Sequence, residues 1–167
     1  MTNRHDDPTP EVPAMGFAPE DPKLTHWSVA EAGLVAVKNY WLSTTRPDGR
    51  PHVMPVWGVW LENRFYFSTS PASRKGKNLG ANPHCTISVS HGGFDLVVEG
   101  SAALLTNDAL ALTVAALYAP KYEWPVTVRD CGIYGENGDG GPLYAMTPDV
   151  AFGFGLIGPF SATRWRF

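Results

Sequence analysis

The sequence is short of the residues from which self-sufficient catalytic or metal centres are built. Only two of its 167 residues are cysteine, Cys85 and Cys131, and they form no metal-type spacing. Cys85 lies in the apolar run "CTISVS", where a buried reduced thiol is the ordinary state, and nothing asks for a disulfide. His52, His84 and His91 are scattered among strand-like residues without the spacing or cysteine partners of a zinc site. No serine sits in a nucleophile-elbow sequence, and no two carboxylates stand out as an acid–base pair. The residues therefore nominate no catalytic side chain and no metal ligand. Charge is also sparse, at 17% of residues with a formal net charge of −3. That acidic balance argues against a nucleic-acid partner, which calls for a broad basic face. Long apolar runs are missing as well. The segment "ALALTVAALYA" (109–119) is well short of the roughly 20 residues that span a bilayer, so no membrane association is expected. The N-terminus, "MTNRHDDPTPEVPAMGFAPEDPK", has no apolar signal core and is rich in proline and acid. Residues 1–27 read as a flexible arm that drapes over a neighbour or stays disordered. A cytoplasmic protein follows from these absences.

Against this background one stretch stands out. "SPASRKGKNLGANP" (70–83) places Arg74, Lys75 and Lys77 within four positions of an acidic chain. Ser73 is a plausible N-cap, and 74–82 reads as a short helix that stops at Pro83. A helix that follows a strand directly offers free backbone N–H groups and partial positive charge at its start. The side chains add full charges, and Ser68, Thr69, Ser70 and Ser73 add hydroxyls just before it. Gly76 and Gly80 permit a close approach of backbone or ligand. Together these make a phosphate cradle, although the spacing is not that of a Walker loop. A solvated basic surface is the competing reading.

The rest of the chain alternates strands with a few helices. "SVAEAGLVAVKNY" has Ser28 and Glu31 at capping-box spacing before an apolar run, which predicts a short helix. "YWLSTT" (40–45), "HVMPVWGVWL" (52–61) and "RFYFSTS" (64–70) read as three antiparallel strands. They are joined at "RPDGRP" (46–51) and at Glu62-Asn63. "HCTISVSH" (84–91) and "FDLVVEGSAALL" (94–105) are two more, across Gly92-Gly93, with Gly100 marking a bulge or a close backbone contact. A helix is expected from Asp108 to about Tyr118, a loop at "GENGDGGP" (135–142), and final strands at "DVAFGFGL" and "ATRWRF". Beyond that loop, residues 119–148 show no readable pattern. Six to seven antiparallel strands with two or three peripheral helices over residues 28–167 predict a small β-barrel of the α+β class. A chain without its own acid, base or nucleophile can still be an enzyme if a cofactor performs the chemistry. A phosphate-anchored flat ring against the strands would suit it, with Trp57, Trp60, Trp124 and Trp165 as candidate walls.

The succession "WLSTTRPDGRPHVMPVWGVW", "FYFSTS", "SRKGKNLGANP" and a closing "TRWRF" resembles the pyridoxamine 5′-phosphate-oxidase-like superfamily. Within it, the chain looks most like the flavin/deazaflavin (F420) oxidoreductase group. The resemblance covers residues from about 28 to 167. It implies a split β-barrel of the FMN-binding kind, usually a homodimer with two shared cofactor sites, acting as a flavoprotein oxidoreductase on a small-molecule substrate. The implied cofactor is F420 or FMN. Carried over by matching positions, Val53, Met54, Pro55, Val56 and Trp57 would lie along the cofactor ring. Ser68 and Thr69 would approach the ribityl and phosphate, and Ser73, Arg74, Lys75 and Asn78 would form the phosphate-binding turn. Lys77 would reach a phosphate or an acidic tail, and Arg164 and Trp165 would approach the partner's cofactor. The chain ends in "TRWRF", without the C-terminal substrate-binding arginine motif of a true pyridoxamine-phosphate oxidase, so vitamin B6 synthesis is not implied. The alternative is a non-catalytic flavin- or heme-binding protein, with His52, His84 or His91 as heme ligands.

Overall fold

A computed structural model describes residues 7–14, 23–155 and 161–167. The elements in chain order are β1 (Pro10–Glu11), α1 (Trp27–Ala36), β2 (Tyr40–Thr45), β3 (Pro51–Val56), β4 (Gly58–Leu61) and β5 (Arg64–Ser68). They continue with α2 (Arg74–Ala81), β6 (His84–His91), β7 (Phe94–Leu104), α3 (Asp108–Tyr122), β8 (Thr127–Arg129), β9 (Gly132–Tyr134), β10 (Gly140–Gly155) and β11 (Ser161–Arg166). All pairings are antiparallel, and the main sheet runs β1-β11-β10-β7-β6-β2-β3. The long β10 turns this sheet into a split barrel. Its Leu143–Met146 stretch also pairs with β5, and Gly140–Pro142 pairs with β9, so one strand holds two sets of neighbours. The fold is α+β.

The described residues contain eleven strands, more than the six or seven expected. The predicted strand 52–61 is two, because the chain leaves the ladder at Trp57 and re-enters against β5. The short β8–β9 hairpin, in the segment without a readable pattern, adds two more. Within the expected N-terminal arm, Pro10 and Glu11 pair with Trp165 and Arg164 of β11. Residues 1–6 and 15–22 of that arm, and Leu156 of the predicted "DVAFGFGL" strand, lie outside the described residues.

Helix starts follow side-chain commitments rather than pattern alone. The capping box expected at Ser28 does not form. The cap is His26, whose ring accepts from the Ser28 N–H, and Glu31 instead accepts from the Trp60 indole at 3.1 Å. Trp27 explains the earlier start: fully buried against Trp60 and Trp165, it fixes the first turn onto the sheet. Ser73 caps α2 as expected, accepting from the Gly76 N–H at 3.1 Å. Helix α3 begins after Asn107 and runs through Pro120 to Tyr122, four residues past the expected end. Gly100 is a site of close approach: a Cβ there would stand 2.1 Å from the Thr147 carbonyl oxygen. The register of the facing strand shifts between Pro148 and Val150.

Two apolar clusters result. One fills the barrel under α1, with Leu34, Tyr40, Phe65 and Trp165. The other lies under α3, with Val59, Val114, Tyr118 and Ile133. Both cysteines are free thiols, and burial pushes the Cys85 thiol up to about 12. No helix among the described residues is long and apolar enough to cross a membrane.

Candidate functional site

The end of β3, the end of β5 and the first turn of α2 converge on a cleft of about 640 Å³. Pro55, Val56 and Trp57 form one wall. The hydroxyl-bearing Ser68, Thr69, Ser70 and Ser73 line it too, with Lys75. Tyr118, Trp124, Asn39 and Asp139 belong to the same lining. Hydrogen bonds hold the hydroxyl turn in shape. Thr69 Oγ1 and Ser73 Oγ are 3.1 Å apart, Ser68 Oγ donates to the Gly141 carbonyl at 2.9 Å, and Ser70 Oγ accepts from Ala72 N–H at 3.2 Å. Each hydroxyl keeps spare capacity for a ligand, since it can donate once and accept twice.

Positive charge gathers beside this turn. His52 is held below its ordinary range by burial and then by the nearby Arg46, Lys75 and Arg74 cations. Arg50 takes the neighbouring Asp48 at 2.8 Å, so that carboxylate is already engaged. Arg46 Nε is buried and has no hydrogen-bond partner among the described residues. Arg46 lies outside the cleft lining, but with Arg74 and Lys75 it acts on His52, and a buried donor left open beside such cations fits an anion such as a phosphate. A smaller groove of about 300 Å³ past Thr45 and His84 is flanked by Glu99 and Asp149 instead, the wrong sign for that role.

The aromatic end is equally ordered. Trp57 is 45% exposed and lies flat on Tyr122, with ring centroids 4.5 Å apart and planes 10° from parallel. Trp124 meets Trp57 edge-on at 6.1 Å. Tyr122 is fixed by its hydroxyl, which accepts from Gly58 N–H at 2.7 Å and faces the Lys38 and Gly58 carbonyls, both at 2.8 Å. Burial pushes that phenol up to about 12, so it stays protonated. One indole face is thus covered and the other is free toward the cleft.

Nine of the residues nominated from sequence meet here: Pro55, Val56, Trp57, Ser68, Thr69, Ser70, Ser73, Lys75 and Trp124; the candidate wall Trp60 is instead buried in the core. Val53 and Met54 sit earlier on β3, largely exposed and outside the lining. Arg74 and Lys77 project from α2 outside it as well, Arg74 on the side of Asp48 and His52. Asn78 lies outside the lining too: it is fully buried, its Nδ2 donates to Thr44 Oγ1 at 2.9 Å, tying α2 to β2, and its Oδ1 has no partner among the described residues. Trp165 requires a correction. Its ring is fully buried in the core of its own chain, donating to the Thr25 carbonyl at 3.2 Å, and Arg164 pairs with Glu11 at 2.7 Å. Sequence reasoning did not nominate Asn39, Arg46, Tyr118, Tyr122 or Asp139. The i, i+4 spacing of Tyr118 and Tyr122 was the available signal.

Known proteins resemble the chain in sequence and in fold. The sequence model of the pyridoxamine 5′-phosphate oxidase family matches residues 30–129. Among solved structures, an F420 reductase is 25% identical with a TM-score of 0.56, over 72% of this chain and 94% of that one. General Stress Protein 26 from Bacillus anthracis str. Sterne is 17% identical with a TM-score of 0.60, over 86% of this chain and 100% of that one. A heme binding protein from Mycobacterium smegmatis is 19% identical with a TM-score of 0.56, over 79% of this chain and 55% of that one. No curated protein matches the sequence.

Proposed function

The chain belongs to the pyridoxamine 5′-phosphate oxidase family, and from that premise we propose that it is an oxidoreductase using a deazaflavin (F420) or FMN and a small organic substrate. The observation that carries this reading is the joining, in one cleft, of Lys75 and the Ser68–Ser73 hydroxyl turn with the Pro55–Trp57 strand end. The cofactor, when bound, supplies the hydride chemistry, which is why the chain needs no acid–base pair of its own. The residues bind and orient. Lys75 and the hydroxyls suit a phosphate, while Pro55 to Trp57 offer an edge of backbone and an indole face to a flat ring. Hydride transfer needs donor and acceptor roughly 3–3.5 Å apart, and a rigid aromatic wall contributes to that order and excludes water.

We further propose that two copies share the cofactor sites. Trp41 and Val53 are 52% and 48% exposed on β2 and β3. With Pro55, paired to Trp41, they share one outward sheet face. The heme reading is less supported, because His52, His84 and His91 are all absent from the cleft lining. Titration of the purified protein with FMN and with F420, followed by absorbance and tryptophan fluorescence, tests the proposal. Saturable binding of either supports it. A Soret band in the purified protein, with neither titrant bound, would overturn it in favour of heme.

A further inference from the structure

The cleft that carries Lys75 also carries a carboxylate that cofactor binding leaves unexplained. Asp139 lies in the same lining as Lys75, Trp57 and Trp124. It is exposed, and no cation pairs with it among the described residues. An unpaired carboxylate disfavours a phosphate in the same cleft, because like charges repel. It favours a cation.

The loop at 135–140 fixes this carboxylate beside an indole. Gly138 N–H donates to the Gly135 carbonyl at 3.0 Å, and Gly135 N–H to the Asp139 carbonyl at 2.9 Å, so the loop closes on itself. Gly135 is buried, and a Cβ there would stand 2.5 Å from Asp139 Oδ1 and 2.6 Å from Trp124 Nε1. Gly140 holds a φ of +108°, and a Cβ on it would stand 3.2 Å from Trp124 Cη2. The absent side chains thus let one edge of the Trp124 indole lie along the loop, next to the carboxylate. Trp124 is held from elsewhere too. Its backbone N–H donates to the Ala119 carbonyl at 3.1 Å, and its ring meets Trp57 and Tyr118 at 6.1 and 6.3 Å between centroids.

A carboxylate and an indole side by side are the groups that recognise an organic ammonium. The carboxylate supplies the opposite charge and accepts N–H bonds. An indole attracts a cation to its face more strongly than the other aromatic side chains do. The free face of Trp57 is left for the flat cofactor ring, so a molecule held by Trp124 and Asp139 would adjoin that ring.

We propose that Trp124 and Asp139 form a subsite for a small organic ammonium. On the oxidoreductase reading above, on which this part of the proposal rests, that ammonium is the substrate's own cationic nitrogen. The cleft then has two poles of opposite sign. Lys75 and the hydroxyls take the cofactor's phosphate, while Asp139 takes the substrate's charge and turns anionic substrates away.

The test titrates the purified protein at neutral pH with benzylammonium and with benzyl alcohol, a neutral counterpart of nearly the same shape. Calorimetry and tryptophan fluorescence report binding, before and after addition of FMN or F420. Benzylammonium should bind at least about 10-fold more tightly than benzyl alcohol, from the ion pair and the cation–π contact together. The preference should shrink as sodium chloride is raised. Asp139→Asn should reduce it to less than about 3-fold, and Trp124→Leu should weaken benzylammonium by about 5-fold, each with wild-type circular dichroism. Equal affinity for the two probes in wild type, or no binding of either, would overturn the subsite without recourse to any variant. If cofactor binding is saturable in that same protein, the oxidoreductase reading survives the loss. A preference that persists in Asp139→Asn would overturn the assignment to that carboxylate. A preference in a protein that binds neither FMN nor F420 would keep the ammonium subsite and overturn its link to an oxidoreductase substrate.

Discussion

At the scale of single residues, charge placement decides what the chain can hold. Lys75 lines the cleft beside the hydroxyl turn, and charge-assisted hydrogen bonds contribute about 1.5–3 kcal/mol each. Lys75→Ala should therefore weaken binding of FMN or F420 by roughly 10- to 150-fold with the fold intact. Lys23→Ala, an exposed residue ahead of α1, should leave affinity unchanged. Wild-type affinity in Lys75→Ala would reduce the basic cluster to solvated surface. Lys121 makes a prediction of opposite character. Its folded pKa lies near 8, below the ordinary lysine value, so between about pH 8 and 10 the unfolded chain binds more protons than the native one. Its contribution to stability is accordingly least below pH 8 and grows as pH rises through that window. Melting temperature measured from pH 7.5 to 9.5 should rise more steeply for wild type than for Lys121→Met. Parallel curves would show that the buried amine is not the source.

At the scale of elements, the two glycines of α2 separate a packing demand from a sequence habit. A Cβ on Gly76 would stand 2.3 Å from the Ser70 carbonyl oxygen and 2.7 Å from Pro71 Cα, whereas a Cβ on Gly80 meets nothing within 4 Å. Gly80→Ala should stabilise the protein by about 0.5–1 kcal/mol through helix propensity. Gly76→Ala should destabilise it and, by displacing the hydroxyl turn, weaken cofactor binding, as thermal melts and titration would record. Equal effects of the two substitutions would contradict the close contact. The same contrast explains what the sequence made legible. Alternation set by a half-buried sheet gave β2 and β6 to the residue, and the Ser73 cap with its cations gave the start of α2. Local pattern failed where distant partners decide. Trp27 moved the start of α1, Trp57 left its strand to stack on Tyr122, and α3 passed Pro120 to bring Lys121 and Tyr122 onto α1 and β4. The basic half of the site was readable because it is contiguous. Its aromatic half was readable only in part: Trp57 and Trp124 stood among four candidate tryptophans, of which Trp60 and Trp165 go to the core, and Tyr118 joins them only through the fold.

At the scale of the molecule, the two cores leave one sheet face without cover. Both apolar clusters lie beneath helices, α1 for one and α3 for the other. The outward residues of β2 and β3, Trp41 and Val53 among them, remain about half exposed. Exposed apolar surface grouped on one face of a sheet is the kind that a second copy covers, and a two-fold pairing is the default closed assembly. Light scattering at micromolar concentration should return about 36 kDa, twice the chain mass of 18.2 kDa. Placing a carboxylate in the centre of that face should separate the copies without touching either core. Val53→Glu is therefore expected to run as a monomer with wild-type circular dichroism. If each cofactor site spans both copies, the same variant should bind FMN and F420 at least about 10-fold more weakly at equal concentration. A monomeric wild type would remove the shared site from the proposal. A monomeric Val53→Glu with undiminished affinity would leave the pairing in place but confine the cofactor to the cleft of a single chain.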